Sequence, residues 1–172
     1  MAFFSFLSAS AGIGDLWKLN PSVAKPMHSL GVEIMRGESP LSKGDRELIA
    51  AFVSALNQCA YCFNGHAQLA VNHGVRRDLI DEIVSDIDSS SAPEAFKPIL
   101  HFVKKLTIEP ARVTQRDADK VFAAGWSEKA LQDAILVCCR FNFMNRLSLG
   151  HGLDPDAKSG AERAANMGYD RG

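Results

Sequence analysis

The sequence predicts an all-α protein, and three observations carry that expectation. Apolar residues recur at helical spacing through most of the chain. Capping residues bound these segments, with Ser, Thr or Asn before them and Gly after them. No segment alternates apolar and polar with the period of two that a half-buried strand requires. The expected architecture is one domain over residues 1–172, of about six or seven helices. A motif-bearing half covers about 22–87, and C-terminal helices cover about 93–153. Both halves are expected to share one core.

The elements follow in order. "SVAKPMHSLGVEIMRG" reads as a helix that stops at Gly37, with Pro26 in its first turns leaving the start open. "SPLSKGDRELIAAFVSALN" reads as a helix opened by Ser42, with Asp45 in the first turn, where a carboxylate meets the positive end of the dipole. Its apolar stripe is Leu48, Ala51, Phe52, Ala55 and Leu56. A helix follows that ends at "NHG", where Gly74 suits the left-handed C′ position and His73 reads as a C-terminal cap.

A short helix near Arg76–Ile87 precedes the loop "DSSSAP", after which Pro93 opens a helix to about Thr107. Thr114 with Asp117 starts another, closed by Gly125. Ser127 caps the longest, "SEKALQDAILVCCRFNFMNRLSLG". The tail from Asp154 is polar, with room for one more helix turn.

Bulk properties narrow the function. Hydrophobic residues are 47% of the 172, so the chain has the means to bury a core. The formal net charge is −1 and no basic stripe interleaves with aromatics, which argues against nucleic acid as a partner. No apolar run approaches the roughly 20 residues that cross a membrane. "MAFFSFLSASAG" lacks the basic start and the apolar length of a signal peptide, so it reads as an arm packed on the body or on a neighbouring subunit. Four cysteines in a chain this long suit a reducing cytoplasm better than a disulfide scaffold.

The chemistry concentrates in "LNQCAYCFNGHAQLAVNHG". On one helix Cys59, Cys62 and His66 fall within a roughly 60° arc and share a face. A three-residue spacing lets two thiols bridge, and a helix start lowers thiol pKa values. Asn57 reads as the N-cap of this helix. If the chain folds back near Asn57–Gln58, Glu47 and His66 lie at matching distances from the corner on two antiparallel helices. Carboxylate, imidazole and thiol then line up as base and orienting acid behind a nucleophile.

Glu47, Cys59, Cys62 and His66, within "RELIAAFVSALNQCAYCFNGHAQLA", resemble the AhpD-like alkylhydroperoxidases of the carboxymuconolactone decarboxylase superfamily. "AILVCCRFNFMNRL" is similar to the last core helix of the peroxidase-related members. The resemblance runs from roughly Val23 to Leu153. It implies an all-α AhpD-like fold with the CxxC at a helix start, homo-oligomers, and reduction of a hydroperoxide through a transient disulfide. A dithiol or protein thiol would donate the electrons, with no metal or flavin. It implies Cys62 as the attacking thiol, Cys59 as the resolving one, and Glu47 with His66 as a proton relay. Helix-start logic alone favours Cys59 as the more acidic thiol. The sequence departs from the family pattern at Tyr61, where relatives place a histidine. A phenol titrating near pH 10 is a poor base at neutrality.

Other readings stand beside this one. The pair can be buried packing. It can be a redox sensor that reacts without turnover. Two thiolates and an imidazole can also hold zinc, with Glu47 or His73 as the fourth ligand. Cys138 and Cys139 cannot bridge, since adjacent helical side chains diverge by about 100°, and they read as core packing. His28, His101 and His151 read as surface or internally satisfied. Trp17, Phe52 and Phe63 read as core or interface. Asn142, Asn145 and Arg146 form one polar patch on an apolar helix, either satisfied by neighbours or lining a pocket beside the thiols.

Overall fold

The computed structural model describes residues 2–166. Among these it contains eight α-helices and two short 3-10 helices. The α-helices are α1 (Pro21–Arg36), α2 (Lys43–Leu56), α3 (Ala60–Asn72), α4 (Arg77–Ser85), α5 (Lys97–Ile108), α6 (Gln115–Ala123), α7 (Glu128–Gly150) and α8 (Gly160–Asn166). The 3-10 helices are Ile13–Trp17 and Pro110–Arg112. The eighth α-helix lies in the tail, where room for one turn was expected.

Local chemistry explains most boundaries. The Ser42 hydroxyl accepts from Asp45 N–H at 3.0 Å while the Asp45 carboxylate accepts from Ser42 N–H at 2.9 Å, a reciprocal cap for α2. At α6 the Asp117 carboxylate accepts from Thr114 N–H and from the Thr114 hydroxyl, both at 2.8 Å, and Ser127 caps α7. Such caps contribute about 1 kcal/mol each. Gly74 and Gly125 end their helices at φ 90° and 93°, where any side chain would be strained. α1 carries Pro26 in its interior and runs through it.

Three expectations need correction. Pro93 makes a turn, with Phe96 N–H donating to its carbonyl at 2.8 Å, and α5 starts at Lys97 with Pro98 in its first turn. Asn57 ends α2 and does not begin α3, whose N-cap is Cys59. Cys139 is exposed, because α7 turns it outward while Cys138 is buried.

One core draws on both halves of the chain. Phe52 of α2, Ile80 of α4, Phe102 of α5, Val121 of α6 and Phe141 of α7 belong to it. Truncating such an aromatic to alanine costs about 3–5 kcal/mol. A smaller cluster of Leu7, Ala11, Leu16 and Leu153 seats the N-terminal arm on the body, beside Tyr61 and Leu147. Phe3 N–H donates to His151 carbonyl at 3.1 Å at the far end of that arm. α8 lies on α3 so closely that a Cβ on Gly160 would stand 2.6 Å from Asn64 carbonyl oxygen. The arm and α8 therefore flank the start of α3.

Candidate active site

The site begins at the corner between α2 and α3. Gln58 adopts φ 56°, the left-handed region, at a cost of about 1–3 kcal/mol. That kink reverses the chain, and Cys59 N–H donates to Ser54 carbonyl at 2.8 Å to close it. α2 and α3 then run back along each other. The reversal brings Glu47 and His66 together, with His66 Nδ1 2.7 Å from Glu47 Oε2. Glu47 is fully buried. Its other oxygen, Oε1, lies 2.7 Å from Arg36 Nη1 at the end of α1. A carboxylate out of water needs such partners on both oxygens. The His66 ring also meets Phe141 edge-on, with centroids 4.3 Å apart.

The thiols sit at the start of α3. Cys59 is fully buried and Cys62 is 5% exposed. Their sulfurs lie 2.6 Å apart, within easy reach of a bond of about 2.05 Å. The Cys59 S–H donates to Cys62. That donor is the main reason the Cys62 thiol is drawn down to about 6, against burial that pushes it up. Ser148, whose Oγ is 3.5 Å away, and Asn145 add hydrogen bonds, and the His66 charge adds to them. Cys59 moves the opposite way, upward, because its proton is held by Cys62 and it is buried. Charge is concentrated on one sulfur and a proton on the other. Cys138 is pushed up to about 11 by burial and lies apart, beside Thr107.

α7 supplies a scaffold for this corner. Asn57 Nδ2 donates to Asn145 Oδ1 at 3.0 Å and to Asn142 Oδ1 at 3.2 Å. Asn145, itself fully buried, donates to Ser54 Oγ at 2.9 Å. The polar patch thus divides. Asn145 reaches the thiols, Asn142 reaches the corner, and Arg146 folds back onto Asn142 from the exposed side. Sequence reasoning missed Arg36 and Ser148. Ser148 stands three residues after Asn145, so helical spacing from that patch was its one available signal. Arg36 carries none, since it meets Glu47 only through the packing of α1 on α2.

A cavity of about 560 Å³ opens onto Cys62 and His66, and its walls include Trp17, Met27, Tyr61 and Phe141. Tyr61 does not take the place of a relay histidine here. Its phenol oxygen accepts the Ile13 N–H at 3.2 Å, and the Arg163 guanidinium lies 4.5 Å above its ring. The phenol is pushed up by burial. Among the described residues no group of three or more His, Cys, Asp or Glu is arranged to hold a metal ion. His73 caps the end of α3, away from the thiols at its start. His28 lines the cavity, His101 pairs with Asp88 at 2.7 Å, and His151 meets Leu147 carbonyl at 2.8 Å. No helix among the described residues is long and apolar enough to cross a membrane.

Comparison with known proteins places this geometry. Residues 21–104 match the carboxymuconolactone decarboxylase family. Sestrin-3 of Mus musculus is 24% identical over 130 residues, which are 74% of this chain and 25% of sestrin-3. The chain thus spans about a quarter of that curated relative. A peroxidase-related protein from Silicibacter sp. TM1040 superposes with a TM-score of 0.78 at 24% identity, covering 90% of this chain and 79% of that one. An AhpD-core, peroxidase-related protein from Ralstonia eutropha JMP134 superposes with a TM-score of 0.77 at 20% identity, covering 88% and 77%. The sequence match and the shared helical fold agree: residues 21–104 carry the carboxymuconolactone decarboxylase family match, and the chain as a whole has the all-helical AhpD-like fold.

Proposed function

We propose that this protein is a thiol-dependent hydroperoxide reductase. The observation that carries the reading is the polarised pair. Cys62 is an acidic thiol on a cavity wall, and its neighbour Cys59 is a proton-bearing thiol sealed behind it. The peroxidase-related names of the two structural neighbours support the same direction.

In the first step the Cys62 thiolate attacks the terminal oxygen of a hydroperoxide. The O–O bond breaks, an S–O bond forms, and the departing alkoxide takes a proton from His66 to leave as alcohol. Glu47 orients His66 through its contact with Nδ1. In the second step Cys59 attacks the Cys62 sulfur, the S–O bond breaks, and the hydroxyl leaves as water with the Cys59 proton. A dithiol donor then reduces the disulfide by exchange and is itself oxidised to a disulfide. Tyr61 takes no part in this path and serves to hold the arm.

The proposal places the protein in a reducing cytoplasm. It also includes self-association through apolar side chains exposed on α1 and α7, among them Leu30, Leu136 and Phe143. Light scattering tests the latter.

Peroxide consumption with a dithiol donor tests the activity. Wild type consumes peroxide catalytically, and Cys62→Ser and Cys59→Ser do not. Equal rates in all three proteins refute the proposal. The engagement of Tyr61 with the arm favours a second reading, a sensor that oxidises once. It predicts one equivalent consumed and no steady turnover.

A further inference from the structure

The wall of the cavity beside Cys62 is unevenly charged. Of its described residues, Lys158, Arg140 and Arg163 are cations. Asp15 is the carboxylate among them, and Cys62 is the acidic thiol. The Asp15 carboxylate is already held by Gly12 N–H at 2.8 Å and by Lys18 at 2.9 Å, with Lys158 adding a weaker attraction. The remaining wall is apolar, from Trp17, Met27, Phe141 and Met144.

Arg163 is 4% exposed. It donates to the backbone carbonyls of Tyr61, Pro155 and Lys158, and no carboxylate among the described residues lies within ion-pair distance of it. Three neutral acceptors orient the guanidinium without cancelling its charge. Its contact with Tyr61 places that charge one residue from Cys62. Lys158, in the loop before α8, adds an ammonium on the same wall. A pocket with an apolar body and a few fixed charges selects an amphipathic ligand of opposite charge. Its volume of about 560 Å³ falls in the range of small-molecule sites.

We infer that the cavity binds an amphipathic carboxylate, and that the oxidant is an organic hydroperoxide carrying such a group. The carboxylate sits against Lys158 and Arg163, the apolar body lies along Trp17, Met27 and Phe141, and the hydroperoxy group faces Cys62. The oxidant assignment rests on the peroxidase reading above. The carboxylate site does not.

Octanoate and octan-1-ol are suitable probes, because neither reacts with a thiol. Isothermal titration should show octanoate binding at least about tenfold tighter than octanol, the effect of one partly solvated charge-assisted contact. Lys158→Met should remove most of that preference while leaving octanol affinity as it was. Lys158 stands in a loop, so the folded state survives the substitution. Arg163→Gln is the second variant and should act in the same direction. Equal affinities for the two probes, or an octanoate preference untouched in both variants, overturn the inference. In the parallel kinetic assay, a carboxylate-bearing hydroperoxide should outperform its methyl ester. Octanoate selectivity without peroxide consumption sinks the peroxidase reading and leaves the carboxylate site standing. Peroxide consumption without octanoate selectivity does the reverse.

Discussion

Removing the Cys59 thiol should raise the pKa of Cys62 and slow its reaction at neutral pH. Cys59 S–H is the largest single influence that draws Cys62 down to about 6. A hydrogen bond to a charged acceptor contributes about 1.5–3 kcal/mol. At about 1.4 kcal/mol per pKa unit, its loss moves the midpoint up by about one to two units. Cys59→Ala should therefore titrate at roughly 7–8. The midpoint stays below that of an ordinary thiol because Ser148, Asn145 and the His66 charge remain. Cys59→Ser keeps a hydroxyl donor and should stay nearer to wild type. The assay is the pH dependence of iodoacetamide alkylation, measured in a Cys139→Ala background because Cys139 is exposed. Cys138, buried and pushed up to about 11, stays silent over this range. A midpoint for Cys59→Ala at or below the wild-type value would refute the reasoning.

Further outcomes follow from the same geometry. Glu47→Gln leaves the nearly buried Arg36 without its carboxylate and should cost about 3–5 kcal/mol, read as a lower urea midpoint. A loss under about 1 kcal/mol would mean the ion pair is not structural. Tyr61→Phe leaves Ile13 N–H without its acceptor and should cost about 1 kcal/mol. Its signature is faster amide exchange in residues 2–17 with α3 unchanged. For the reduced protein, the folded Cys62 pKa lies below the unfolded one, so its thiolate stabilises the fold at high pH. That contribution is full above about 9 and is lost as pH falls through about 6. The stability difference between wild type and Cys62→Ser should therefore grow from pH 6 to 9. A flat difference contradicts the assignment.

The helices were legible because their signals are local. Ser42, Thr114 and Ser127 cap neighbours a few residues away, and Gly74 and Gly125 take the positive φ of a helix end without steric cost. The meeting of Glu47 with His66 was legible for a related reason, since a single corner and equal arm lengths determine it. The residue that makes the corner was not legible. Asn57 looked like a cap, yet its amide is spent on Asn142 and Asn145, and Gln58 takes a conformation that glutamine rarely adopts. Partners that arrive through tertiary packing left little or no local trace. Arg36 comes from α1, Ser148 from α7, and Arg163 from a tail that reads only as polar. Tyr61 was recognisable as a departure, but its tie to Ile13 spans 48 residues. Pro93 misled because proline marks both a turn and a helix start.

The central claim is that Cys59 and Cys62 act together on a hydroperoxide. Mass spectrometry of the reduced protein, treated with one equivalent of hydroperoxide and digested, tests it most directly. The account predicts the loss of two hydrogens from the peptide that contains Cys59 and Cys62, with Cys138 and Cys139 unchanged. An unmodified pair, or oxidation confined to the exposed Cys139, would contradict it.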